Sequence, residues 1–426
     1  MSAIRQAGFS TLSAIKLSIF ILATLIAAMT ANAEGLMRGE TVVSRERPEL
    51  DPLGVRIGSF LLYPDLTIGL RQEDNIFAVE SNTVSDLITL INPAVKLKSD
   101  WNNHTFGLLA DFVAARYSEN PDEDYQDYTV EGDGRLDISR NSALSGALQY
   151  AHLHEARTSP DDARGLTPTK YTASSIFISY NKKFDRLSVQ IDGWQQKLDY
   201  KSVPTSAGIL NNDDRDRVEN LGTLRFNYVL MPGYQMFLRG SVNSRKYAQM
   251  FDRFGLRRNS NGSEVVAGAA LDFSGVTFGE IYIGYLRQNY EEPRFSDIGE
   301  PTFGGEITWN PSGLTTVTGT AGRSIKETTF DNASGIHATS FELGVDHELW
   351  RNLILHMDML GERDDYQGLN RKDDVFVINL GGKYMLNRNL YVLFGYDYER
   401  RVSEPPEGGG RNYKINSYTL RVEGQI

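Results

Sequence analysis

Hydrophobic and polar residues alternate one for one along most of this chain. From about Phe60 onward the alternation recurs in segments of roughly 10–14 residues, the period of a strand with one apolar and one polar face. Val130, Gly132, Gly134, Leu136 and Ile138 interleave with Glu131, Asp133, Arg135, Asp137 and Ser139. Leu187, Val189 and Ile191 interleave with Ser188, Gln190 and Asp192. Leu353, Leu355, Met357 and Met359 alternate with His356 and Asp358, and the C-terminus repeats the rhythm at Tyr418, Leu420, Val422 and Ile426. No stretch sustains a 3.6-residue stripe, so the pattern predicts strands and essentially no helix.

The connections alternate as well. Short turns fall at 101–104, 140–142, 181–185, 231–234, 273–276, 310–313, 349–352 and 385–389. Between them lie longer polar loops at 73–86, 118–126, 157–169, 200–216, 246–262, 288–300, 326–335, 364–372 and 401–411. Short turns on one side and long loops on the other predict an all-β fold, a single antiparallel up-and-down barrel crossing an outer membrane. The segments number about eighteen, an even count that returns both ends to the periplasm. A soluble sandwich or propeller has no need of long loops at alternate connections only. Trp101, Phe184, Tyr234, Trp309, Trp350 and Tyr384 flank the short turns, where an interfacial aromatic girdle belongs.

The first residues read as an address. Arg5 and Lys16 precede an apolar run from Leu17 to Met29, short for a spanning helix, and Ala31-Asn32-Ala33 supplies a small-residue cleavage pattern. We therefore expect a cleavable signal peptide at 1–33, an N-terminal periplasmic extension at 34–59 and the barrel at 60–426. Within the extension, Glu40-Thr41-Val42-Val43-Ser44 resembles the energy-coupling box of active outer-membrane transporters. Those carry a plug domain and about 22 strands, and some 25 residues are too few for a plug. Arg45, Glu46, Arg47, Glu49 and Asp51 suit either docking to a periplasmic partner or solvation.

Composition narrows the chemistry. Aromatics reach 11%, with 39 Gly, which suits strands and turns at a mean hydropathy no greasier than a soluble protein's. The absence of Cys excludes disulfides, thiolate metal sites and a Cys nucleophile. A net charge of −11 makes nucleic acid a poor partner. His152 and His154 sit two apart on one strand face, but no third metal ligand is predictable and an interfacial role is the simpler reading. The carboxylates Asp122, Glu123, Asp124 and Asp213, Asp214, Asp216 lack the spacing of a calcium loop and read as solvated charge runs. No catalytic constellation, metal or cofactor is expected.

A resemblance adds to this. Residues 47–60, from Arg47-Pro48-Glu49-Leu50-Asp51-Pro52-Leu53-Gly54 to Ser59-Phe60, resemble the N-terminal signature of the family named putative beta-barrel porin type two. Asp74-Asn75-Ile76-Phe77 and Ser99-Asp100-Trp101 are similar to it too. The resemblance implies a Gram-negative outer-membrane barrel taking part in exopolysaccharide or capsule export, with polysaccharide cargo and a periplasmic export component as partners besides membrane lipid. The end Gly424-Gln425-Ile426 departs from the terminal aromatic that many such barrels carry.

Eighteen strands leave room for an aqueous channel. The expected pore-lining cations are Arg71, Lys96, Lys98, Arg217, Arg225, Arg239 and Arg245. The expected pore-lining carboxylates are Glu264, Glu280, Glu306, Glu342, Asp346, Asp358, Glu362 and Asp397, with Lys383 nearly the only cation among them. The sequence order suggests a basic wall facing an acidic one, a field that orients hydroxyl-rich solutes; inter-strand salt bridges are the plainer alternative. The expected functions are an export channel, a general porin for small polar solutes, or an occluded barrel acting through its loops.

Overall fold

The computed structural model describes residues 39–273, 275–405 and 410–426. The expected signal peptide at 1–33 lies outside the described residues, as does the start of the extension. A short strand β1 (Val55–Ile57) leads into β2 (Phe60–Glu73), β3 (Asp86–Ser99), β4 (Thr105–Tyr117), β5 (Tyr125–Ser139), β6 (Ser142–His154), β7 (Lys170–Phe184) and β8 (Leu187–Tyr200). A small hairpin, β9 (Val203–Thr205) and β10 (Gly208–Leu210), sits in the following loop. The chain continues through β11 (Arg217–Met231), β12 (Tyr234–Tyr247), β13 (Ser260–Phe273), β14 (Thr277–Tyr290), β15 (Ile298–Ser312) and β16 (Thr315–Lys326). It ends with β17 (Gly335–Trp350), β18 (Leu353–Gln367), β19 (Lys372–Asn387), β20 (Leu390–Glu404) and β21 (Tyr413–Gln425).

Eighteen of these strands, all but β1, β9 and β10, pair with their sequence neighbours and close where β2 meets β21. The sheet is antiparallel throughout, and the described residues contain only two single-turn 3₁₀ segments, Pro121–Glu123 and Asp213–Arg215. The expected architecture and strand count are what the structure has. Strands extend into several expected turns, so that β7 runs to Phe184, β15 to Ser312 and β19 to Asn387. Tight turns need less chain than the polar residues beside them suggest. The β11–β12 turn is Pro232-Gly233, with Gly233 at φ 84°, a conformation that favours glycine.

The seam shows how closure constrains the chain. Asp65 pairs with Gln425, so β21 ends before it can cover the first residues of β2. There β1 folds back instead, pairing Ile57 with Phe60 and Val55 with Leu62, and covers that end of β2.

Register separates the two faces cleanly. Leu66, Ile68 and Leu70 are exposed toward the membrane, whereas Thr67, Arg71 and Glu73 are buried on the lumen side. The outward aromatics include Trp101, Phe184, Trp309, Trp350 and Tyr384, all near the short-turn rim. The lumen side is not uniformly polar. Near the long-loop end it carries apolar clusters, among them Ile88, Leu90, Ala115 and Tyr125, and Leu153, Tyr171, Leu198 and Tyr200.

Candidate functional site in the barrel lumen

Strand parity places all fifteen candidate charges on the lumen side. Their arrangement combines the two expected ones. In the ring, β11 and β12 lie beside β13 and β14, so Arg225 and Arg239 meet Glu280 and Glu264 along one stretch of wall, whereas β2 and β3, with Arg71, Lys96 and Lys98, lie across the lumen from β13 and β14. Arg225 pairs with Glu280 at 2.8 Å and Arg239 with Glu264 at 3.3 Å. Arg217 pairs with Glu219 at 2.7 Å, and Arg245 with Glu327 at 2.5 Å. Glu362 takes Lys326 at 2.7 Å, while Asp346 and Asp358 both bind the ring of His356. Lys96 lies near Glu131 and Asp133, Lys98 stands over the Tyr63 ring, and Arg71 lies beside Glu73 and Asp397. Glu306 is the cross-strand neighbour of Glu280, and Glu342 that of Thr320 and Leu360. Lys326, Arg401 and Arg421 share the lumen face in the second half, so Lys383 is not nearly alone there. The same period-two parity would have revealed them.

Two readings of shorter motifs change. His152 stacks on the outward-facing Tyr128, while His154, at the strand's last residue, turns to Asp127 at 2.8 Å and stacks on Tyr125. The two imidazoles therefore do not share a face. The loop carboxylates are not simply solvated. Glu123 is buried against Arg157, Asp214 holds Arg253 at 2.7 Å, and Asp216 accepts from the Tyr200 backbone at 2.6 Å.

What the sequence did not signal is the structure of the two mouths. Loop 155–169 leaves the ring between its fifth and sixth strands and loop 327–334 between its thirteenth and fourteenth, almost diametrically opposite. They nevertheless touch. Thr328 Oγ1 donates to Asp161 Oδ1 at 2.9 Å, and the Thr329 amide donates to the same oxygen at 3.2 Å. An eighteen-strand barrel has a radius of about 18 Å for strands ~4.8 Å apart and tilted ~40°. Seven residues out from the wall span about 24 Å when extended, enough to reach the axis.

Charge holds this loop in place. Arg157 binds Glu123 through Nε at 2.9 Å and Nη2 at 2.5 Å, and reaches Asp162 at 3.4 Å. Arg411 donates to Asp162 Oδ2 at 3.2 Å and to the Asp162 carbonyl at 2.7 Å. At the loop's root Glu155 and Arg215, only 2% and 3% exposed, form a two-pronged pair at 2.6 and 2.9 Å, with the guanidinium carbon 4.0 Å from the centre of the Tyr200 ring. Burial pushes the Glu155 carboxyl up, but the Arg215 charge and the hydrogen bonds from Arg215 and Ser159 outweigh it and hold it below the ordinary carboxylate range. At Asp162 burial prevails over Arg157 and Arg411, and its carboxyl lies above that range. Opposite, Arg258 keeps loop 327–334 folded by donating to the carbonyls of Thr328, Phe330 and Ala333. Residues 155–158 of this loop share a cavity with Tyr117, Tyr125, Asn379 and Asp397 of the barrel wall.

At the other mouth, residues 39–54 run along the inside of the rim from Phe278 of β14, past β15 to β20, to Tyr63 of β2. Asn310 donates to the Glu40 carbonyl at 2.9 Å, and the Val42 amide donates to Thr316 Oγ1 at 2.9 Å. Buried Arg47 binds Glu348 at 2.7 Å, and Leu50 packs on Ile354, Met385 and Tyr391. The residues that resemble an energy-coupling box thus lie in this seat, with Val42 fully buried and Thr41 and Ser44 closing a turn on each other.

Solved structures with similar folds include OccK2 (OpdF) of Pseudomonas aeruginosa, 12% identical over 86% of this chain and 97% of that one, with a TM-score of 0.46. OpdL of Pseudomonas aeruginosa is 12% identical over 87% of this chain and 99% of that one, with a TM-score of 0.42. No curated protein sequence matches. Residues 47–426 match the family described as Putative beta-barrel porin 2. The chain belongs to that family of porin-type barrels of the outer membrane.

Proposed function

We infer that the protein is a diffusion channel for small polar solutes, narrowed at its outer mouth by loop 155–169. The observation that carries this reading is the pair of contacts from Asp161 to Thr328 and from Asp162 to Arg411, which tie one loop to two distant sectors of the ring. A wet lumen wall of paired charges admits hydroxylated or zwitterionic solutes without strong preference for one ion sign. Routing and insertion follow from a cleavable leader at 1–33 and the outward apolar stripe. The lumen groups are assigned positioning and hydration roles, with no catalytic step.

Export of an exopolysaccharide, which the family resemblance implies, requires the loop to withdraw, because a polymer strand needs a continuous opening. One experiment separates these readings. The barrel is refolded, inserted in liposomes, and swelling is followed in sugars of increasing size. Passage of mono- and disaccharides with exclusion of longer oligosaccharides supports the solute channel. Equal passage of long oligosaccharides supports export, and absence of both swelling and conductance supports an occluded barrel working through its loops.

A further inference from the structure

On the lipid-facing side of β7, β8, β11 and β12 the pairing register stacks three rows of different chemistry. The lowest runs Ile178, Gly193, Gly222, Val242. Its two middle positions have no side chain, so the wall is hollowed between Ile178 and Val242 into a groove of about 430 Å³. The next row is polar: Gln195 Nε2 donates to Asn220 Oδ1 at 2.7 Å, and Asn220 Nδ2 donates to Ser244 Oγ at 3.2 Å. One row higher, Lys197 and Lys246 flank Val218 on either side. Their backbones stand about 10 Å apart, two strand spacings. Both are exposed, and neither enters an ion pair among the described residues; nearby Asp199 is engaged by Lys201.

Height assigns each row an environment. From Ser188, near the short-turn rim, to Lys197 is nine steps, a rise of about 23 Å at ~3.4 Å per residue and ~40° tilt. The apolar band of such barrels is about 25 Å tall. The lysines therefore sit at the outer interface, with the groove in hydrocarbon below them.

We propose that this wall binds one lipid with a phosphorylated headgroup from the outer leaflet. Its acyl chain lies over Gly193 and Gly222, its linkage region meets the Gln195–Asn220–Ser244 ladder, and its phosphate sits between Lys197 and Lys246. A second outer-wall groove, between Ile281, Phe303 and Phe341, is larger at about 710 Å³. The cations above it are engaged by the protein: Arg363 holds Asp374 at 2.7 Å, and Arg323 stacks on Phe303 while donating to the Pro301 carbonyl. Free charge, not groove size, selects the first.

The test is native mass spectrometry of the detergent-refolded barrel titrated with phosphatidylglycerol, phosphatidylcholine or inorganic phosphate. One phosphatidylglycerol should be retained about tenfold more tightly than phosphatidylcholine, as expected for two interfacial lysines. The Lys197→Gln/Lys246→Gln double variant should bring the two lipids level. Gly222→Leu should abolish retention of both, and it should fold, because a Cβ there meets only Val242 Cγ2, at 3.7 Å; heat-dependent migration checks this. Equal retention of both lipids by the wild type overturns the proposal. So does saturation by inorganic phosphate alone, which marks a bare anion site. Loss of a dimer instead of a lipid in Gly222→Leu also overturns it, since the groove is then an interface between copies.

Discussion

At the outer mouth, loop 155–169 is held by guanidinium–carboxylate contacts with three other loops and by hydroxyl and amide donors from a fourth, with few apolar groups in the loop itself. At the inner mouth, residues 39–54 combine a shared carboxylate, Glu348, with an apolar seat for Leu50 and a series of backbone hydrogen bonds. The difference matters because the two kinds of contact fail differently. A buried charge stripped of its partner is costly, so the outer loop is closed or open with little between. An apolar seat loses stability in proportion to the surface it loses, so the inner segment loosens by degrees.

The largest effect expected from this comparison is at Arg215. Arg215→Met leaves Glu155 buried without its counter-charge, a loss of about 3–5 kcal/mol at the loop root. Single-channel conductance should rise, and protease should cut loop 155–169, while residues 39–54 stay protected. Unchanged conductance would show that the loop does not bound the permeation path.

Next in size is Leu50→Ala. Removing that side chain from Ile354, Met385 and Tyr391 should cost about 2–3 kcal/mol, the low end for such a truncation because the site borders water and can relax. Hydrogen exchange of residues 39–54 should quicken, with barrel migration before boiling unchanged. Equal loosening of the outer loop would mean the mouths are coupled and the comparison fails.

Acid gives a smaller and more selective effect. The folded Glu155 carboxyl lies below its unfolded value, so its stabilisation is present above the ordinary carboxylate pKa of about 4.3 and is lost as pH falls through the lower folded value. Asp162 has the opposite sign: protonation through its raised folded value favours the closed loop. Conductance should therefore stay flat from neutral pH to about 5 and rise only below about 4. An opening transition near pH 6 would contradict the assignment of Glu155 and Arg215 as the root contact.

The barrel was legible because every strand solves the same local problem. Once Leu66, Ile68 and Leu70 must meet lipid, Thr67 and Arg71 are forced inward, and period-two alternation carries that information along the sequence. The lumen side of all fifteen candidate charges followed from the same parity. Their partners did not: Arg225 and Glu280 are 55 residues apart, on β11 and β14, and only the stagger of the strands between them brings them together. The mouths were less legible still. Asp161 and Thr328 are separated by 167 residues and Arg47 and Glu348 by 301, and in each pair at least one partner lies in a segment with no periodicity to read. Reading Glu123 and Asp214 as solvated failed for the same reason. A carboxylate in a loop looks identical in sequence whether water or a distant arginine faces it.

The smallest expected effect lies at the inner rim and isolates what holds that segment. Glu49 meets Arg351 at 2.7 Å, but both side chains are about half exposed. The hydrogen bond from Arg351 holds the Glu49 carboxyl below its ordinary range, yet water and salt screen an exposed pair so well that its contribution is small. Glu348, by contrast, is buried and serves both Arg45 and Arg47, and Arg388 holds the Pro48 carbonyl at 2.7 Å independently of Glu49. Glu49→Gln should therefore leave hydrogen exchange of residues 39–54 and channel conductance indistinguishable from wild type, at low salt as well as high. Quickened exchange at low salt that vanishes at high salt would show that long-range charge, and not the Leu50 seat, positions the segment, and the contrast between the two mouths would then be one of degree.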